Sequence, residues 1–98
     1  MVRKITDEQR EEAAAIFKAL SDPARLQTLL ILAAGERNVG EIAEIEDEKT
    51  GTVSARLQVL LNARLVKRRR EGQTMIYALA DDHVLNLVTN AIEHACEE

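Results

Sequence analysis

The two histidines of this chain, His83 and His94, lie near its end in the stretch DDHVLNLVTNAIEHACEE, and each has carboxylates beside it. Imidazole nitrogens and carboxylate oxygens are donors for a borderline divalent cation such as Zn(II), so the first chemistry to weigh is metal ligation. On a helix turning ~100° per residue, the steps from His83 to His94 and to Glu97 amount to net rotations of about 20° and −40°. Those three side chains share a face. Asp81, two residues before His83, falls on the opposite side of a continuous helix and joins them only from a cap position. The rise along the helix separates the histidines by roughly 16 Å, whereas ligands of one zinc lie ~2 Å from it. One chain therefore cannot close the site. Two such helices packed antiparallel would set Asp81 and His83 of one protomer against His94 and Glu97 of the other, and two-fold symmetry would repeat the arrangement. Val84, Leu87, Val88, Ala91 and Ala95 form an apolar stripe beside the ligand face, where a dimer seam would run. The alternative is a solvated polar rim, and Asn86 and Asn90 on the same face show that polarity there does not require ligation.

The elements that must hold this helix read as mainly helical. Thr6 and Gln9 have capping-box spacing, and Ala13, Ile16, Phe17 and Leu20 follow as an inward amphipathic stripe, giving a helix over 7–20. Ser21-Asp22-Pro23 offers a cap and a first-turn proline for a second helix with Leu26, Leu29, Leu30 and Ala33 inward and Gly35 as its stop. Val39, Ile42 and Ala43 suggest a short third helix. Thr50 is read as the cap of a fourth, with Val53, Leu57, Leu60 and Leu61 inward, and the spacing of the pair suits a helix-turn-helix. The period then changes: 65–70 and 73–79 read as a hairpin around Glu71-Gly72, with Met75, Tyr77 and Leu79 on one face. A last helix runs from about Asp82 to Cys96. The order is α-α-α-α-β-β-α, a mainly α fold with a β-hairpin wing (α+β), in one domain over 1–98. A chain of 98 residues buries a modest core, so dimerisation is a natural source of further stability.

The net charge of −4 conceals a local asymmetry: RLVKRRR, from Arg64 to Arg70, carries five basic residues, and EIAEIEDE, from Glu41 to Glu48, carries five acids. Phosphate binding depends on nearby charge rather than on the total, so a basic face on an acidic molecule can bind DNA. Helix four turns Thr52, Ser54, Ala55, Arg56, Gln58 and Val59 mostly outward, with short polar groups suited to base edges in a major groove. Arg68, Arg69 and Arg70, with Gln73 and Thr74, would reach the neighbouring backbone or minor groove as a wing. The plainer reading of both is a solvated helix and a solvated basic turn. The single cysteine, Cys96, excludes an intrachain disulfide framework and suits a reducing cytoplasm. The sequence shows neither a signal peptide nor a bilayer-spanning run, so no membrane is expected. A metallohydrolase is disfavoured because four ligands leave no open position on zinc, and no small organic substrate is expected.

The stretches ALSDPARLQTLLIL (19–32), NVGEIAE (38–44), TVSARLQVLLNARLV (52–66) and RREGQTMIYAL (69–79), with the terminal D-x-H-x10-H-x2-E pattern, cover almost the whole chain. Together they resemble the ArsR/SmtB family of bacterial metal-responsive winged helix-turn-helix repressors, in its zinc-sensing branch. The resemblance implies a cytoplasmic homodimer, joined through its first and last helices, that occupies a pseudo-palindromic operator and releases it when metal binds. It makes Asp81, His83, His94 and Glu97 inter-subunit ligands of Zn(II), with Co(II) as a surrogate. It makes Thr50, Thr52, Ser54, Ala55, Arg56, Gln58, Arg68, Arg69, Arg70, Gln73 and Thr74 the DNA surface. Three departures stand out. ERNVGEI (36–42) lacks the cysteines of thiolate-site relatives, Ala55 stands where a histidine is common, and Gly51 stands where a serine is common. The alternative is a winged-helix repressor with a degenerate metal site and another inducer.

Overall fold

The computed structural model describes residues 3–97. Its elements are α1 (Asp7–Leu20), α2 (Pro23–Ala33), β1 (Arg37–Asn38), α3 (Val39–Glu46), α4 (Thr50–Asn62), β2 (Val66–Glu71), β3 (Thr74–Leu79) and α5 (Asp82–Ala95). Local chemistry accounts for most of the boundaries. Thr6 and Gln9 form the expected capping box, Asp22 accepts the Arg25 N–H ahead of Pro23, and Asp81 accepts the Val84 N–H; each satisfies an amide that the helix itself leaves unpaired. A second capping box, between Asn38 and Glu41, starts α3. Thr50 is not the cap of α4: Lys49 occupies that position and makes no side-chain bond.

The expected hairpin is part of a three-stranded antiparallel sheet in the order β1-β3-β2. Two residues, Arg37 and Asn38, pair with Tyr77 and Ile76. The turn is Gly72-Gln73, one residue later than expected, because Glu71 still pairs with Thr74 and Gly72 takes the left-handed conformation at φ 63°. Glycine has no Cβ to strain there.

Leu29, Ile42, Val53, Leu57, Leu60, Leu65 and Val88 are fully or almost fully buried and form one core under the sheet. Central to it, α2 packs against α1, α3, α4, α5 and β3. The stripe on α1 divides: Ile16 and Leu20 pack against the core as expected, and the other two residues do not. Ala13 is exposed and Phe17 is 62% exposed, while Ala19 is the helix's buried residue. An apolar stripe records what a helix has to bury and leaves open which chain covers it.

Candidate functional site

The helix-turn-helix pair is α3 and α4, joined through Asp47, which closes α3 in the left-handed region at φ 53°. Val53, Leu57 and Leu60 anchor α4 to the core, as their spacing predicts. Thr50, Thr52, Ser54, Ala55, Gln58 and Val59 are exposed. Arg56 is the correction. Its side chain is only 18% exposed, and its Nη1 donates to Oε1 of Glu46 at 2.9 Å while Nη2 lies 3.5 Å from Glu48. The helical wheel gave its bearing correctly enough, but tertiary charge turned the long side chain inward. With Arg56 paired, the outward face of α4 carries no free formal charge among the described residues.

Opposite Arg56, Glu46 receives the Thr28 hydroxyl on its other oxygen at 2.6 Å. Thr28 is fully buried within α2. Sequence reasoning missed this role for Thr28 and counted Glu46 only among the five acids of the 41–48 stretch. Neither residue stands out by periodicity, and only their meeting reveals them.

On the wing, Lys67 and Arg69 alternate with Arg68 and Arg70 across β2, so the basic run supplies both faces. Arg68 donates to the Tyr77 hydroxyl at 3.4 Å. Arg69 is held by Glu36 at 2.5 and 3.1 Å and by Glu71 at 3.0 Å, so this arginine enters any DNA contact already paired. Gln73 and Thr74 sit exposed at the tip.

The hydrogen bond from Arg69 holds the Glu36 carboxyl below its ordinary value, with the charges of Arg69 and Lys67 adding to it. A folded pKa lowered in this way contributes stability above the ordinary carboxylate range, and loses it as the pH falls through the lowered value. Acidification through that window should free Arg69 from Glu36. The carboxyl carbon of Glu36, followed by NMR, should titrate below an ordinary glutamate; a midpoint at or above the ordinary value would mean that the tether does not form in solution.

Along α5, the candidate ligands fall into two pairs. At the start, His83 Nδ1 lies 3.5 Å from Asp81 Oδ1; at the end, His94 Nδ1 lies 3.1 Å from Glu97 Oε2. The imidazoles are open to solvent, at 97% and 88% exposure. Asp81 does occupy the cap, and its bond from the Val84 N–H, helped by His83, holds its carboxyl below the usual range. Among the described residues, no three of His, Cys, Asp and Glu converge within the chain. Val84 and Val88 turn into the core, while Ala91 and Ala95 remain exposed. Cys96 is also exposed. No helix among the described residues is long and apolar enough to cross a membrane.

Residues 22–68 match the profile of the bacterial regulatory proteins of the arsR family. The chain is 39% identical over 90 residues to a transcriptional repressor SmtB homolog of Synechocystis sp., covering 92% of this chain and 68% of that protein. It is 39% identical over 87 residues to a cadmium resistance transcriptional regulatory protein CadC homolog of Staphylococcus aureus, covering 88% and 72%. A solution structure of a homodimeric winged helix-turn-helix DNA-binding domain from Mycobacterium bovis, a possible ArsR-family regulator, superposes with a TM-score of 0.86 at 35% identity, covering 97% and 90%. The chain belongs to the arsR family of bacterial regulatory proteins, which are winged helix-turn-helix transcriptional regulators and not enzymes.

Proposed function

We propose that this chain is a cytoplasmic, homodimeric repressor that binds a pseudo-palindromic operator and is released from it by Zn(II) held between subunits. A single DNA-binding and dimerisation domain spans 1–98. The observation that carries the reading is the pairing of Asp81 with His83 and of His94 with Glu97 at opposite ends of one helix. Each pair is half of a tetrahedral donor set. The donors fit the ion, since two imidazole nitrogens and two carboxylate oxygens form a closed set for Zn(II), with Co(II) as a surrogate. Asp81 and His83 of one protomer, with His94 and Glu97 of the partner subunit, would hold it. A divalent cation bound there supplies a cross-link between the two α5 helices.

DNA reading falls to Thr50, Thr52, Ser54, Ala55 and Gln58 on α4, and phosphate contact to Arg68, Arg69, Arg70, Gln73 and Thr74 on the wing. Lys49 leaves the first amides of α4 without a side-chain cap, and open amides at a helix start favour phosphate. The dimer forms through α1 and α5, where Phe17, Ala13, Ala91 and Ala95 present apolar surface. Replacing Phe17 by glutamate should shift the protein from dimer to monomer in sedimentation and weaken operator binding with it. A Phe17→Glu variant that stayed dimeric would move the seam elsewhere.

The deciding experiment is a Co(II) titration followed by excess Zn(II), beside His94→Ala. Intense d–d bands without thiolate charge transfer, saturating at one metal per protomer and erased by zinc, are expected. A second reading, a winged-helix repressor with a degenerate metal site and another inducer, draws on Asp81, whose capping bond already gives it a structural purpose. A weak octahedral spectrum that His94→Ala leaves unchanged would select it.

A further inference from the structure

We propose that Arg56 is a positioning residue of the DNA-reading head and not a contact to DNA: Glu46 and Glu48 retain its guanidinium, and the Thr28–Glu46–Arg56 bridge sets the pose of α4 on α2 and α3. The inference rests on the DNA-reading role of α4 proposed above.

As the sole formally charged residue in α4, Arg56 would ordinarily be the first candidate for a guanine edge or a phosphate. Its geometry directs it elsewhere. Nη1 meets a Glu46 carboxylate that is itself only 4% exposed, and the other oxygen of that carboxylate accepts from Thr28. The Thr28 hydroxyl also lies 3.3 Å from the Ala24 carbonyl oxygen. Three helices are thereby joined through one carboxylate. No buried side-chain polar atom among the described residues lacks a partner, so the bridge is closed.

Confinement is not what keeps Arg56 in place. A cavity of about 320 Å³, lined by Ala24, Gln27, Ile45, Glu46, Glu48 and Arg56, opens beside the bridge, so the guanidinium has room to leave. Charge retains it. Moving Arg56 to a phosphate would leave the Glu46 carboxylate buried with only the Thr28 hydroxyl, and an uncompensated buried charge is costly. A phosphate at the solvent-facing surface is screened by salt and offers less in return. The Glu46, Glu48 and Arg56 charges also sum to an acidic cluster, so these three residues offer a phosphate no net neutralisation.

The test begins with wild-type protein selecting a duplex from a random-sequence pool. Affinity for that duplex is then measured against salt for wild type, Arg56→Gln, Glu46→Gln and the double variant, well below each melting temperature. Each single variant should bind about 10-fold more weakly, within the range for coupled neighbours, and the double variant no more weakly than either. The slope of log affinity against log salt, and the base preference at every position, should stay as in wild type. A slope shallower by about one in Arg56→Gln would show a phosphate contact and overturn the inference. Lost preference at one base pair, or additive losses in the double variant, would do the same. So would a lowered Tm with the affinity of the folded protein unchanged, the signature of a bridge that only stabilises. A pool yielding no preferred duplex would remove the DNA-reading role itself, and this inference with it.

Discussion

Replacing His94 by alanine should give a dimer that still binds operator DNA but no longer releases it when Zn(II) is added. The loss in metal affinity should exceed about 100-fold, the upper end of what even outer-shell partners of a metal site carry. Operator affinity of the metal-free protein should remain near wild type, because His94 lies on α5 and is 88% exposed. Linkage makes the expectation stricter: DNA must weaken metal binding by the same factor by which metal weakens DNA binding. Operator DNA that left the wild-type metal affinity unchanged would break the mechanism. Aspartate at position 94 separates ligation from signalling. A ring that ligates through one nitrogen retains the other as an obligatory donor, whereas a carboxylate has no donor to offer. His94→Asp should therefore retain more metal affinity than His94→Ala, yet release operator no better. Full release by the aspartate variant would place the signal in ligation alone.

The largest expected effect on stability comes from Leu57→Ala. Leu57 is fully buried on α4 within the core shared with Leu29, Ile42 and Leu60. Truncation there removes apolar burial and leaves a cavity, at a cost of about 2–5 kcal/mol. A small domain has only about 5–15 kcal/mol in total, so the urea midpoint should fall steeply, at matched protein concentration and with an unchanged m-value. A loss below about 1 kcal/mol would mean that the core collapses onto the gap, beyond the usual range for such sites.

The sequence revealed elements whose causes are local. Thr6 with Gln9, Asp22 ahead of Pro23, and Asp81 ahead of α5 mark helix starts within three residues, and the hairpin turn was off by one position because Glu71 pairs across it. What escaped depends on distant partners. The strand β1 is two residues long and exists only because Tyr77 and Ile76 lie beside it, too short for any period to show. The inward turn of Arg56 depends on Glu46 arriving from α3, and the exposure of Phe17 depends on how α1 lies against the rest of the chain. For the candidate metal site, spacing alone separated two half-sets on one helix, and the same spacing implied a second chain. The outward face of α4 and the basic wing were legible in the sequence, but the engagement of Arg56 and Arg69 by carboxylates was not.

The short strand β1 has a mechanical consequence. It fastens the residue that caps α3, Asn38, to β3, and β3 also carries the wing and packs against α5. Wing and turn thus share a common strut, β3, which also packs against α5. A displacement imposed on α5 would therefore reach the wing and the start of α3 together through β3. Two heads whose spacing must match successive turns of DNA, about 34 Å apart, are sensitive to small tilts, because the angle is multiplied by the length of the lever.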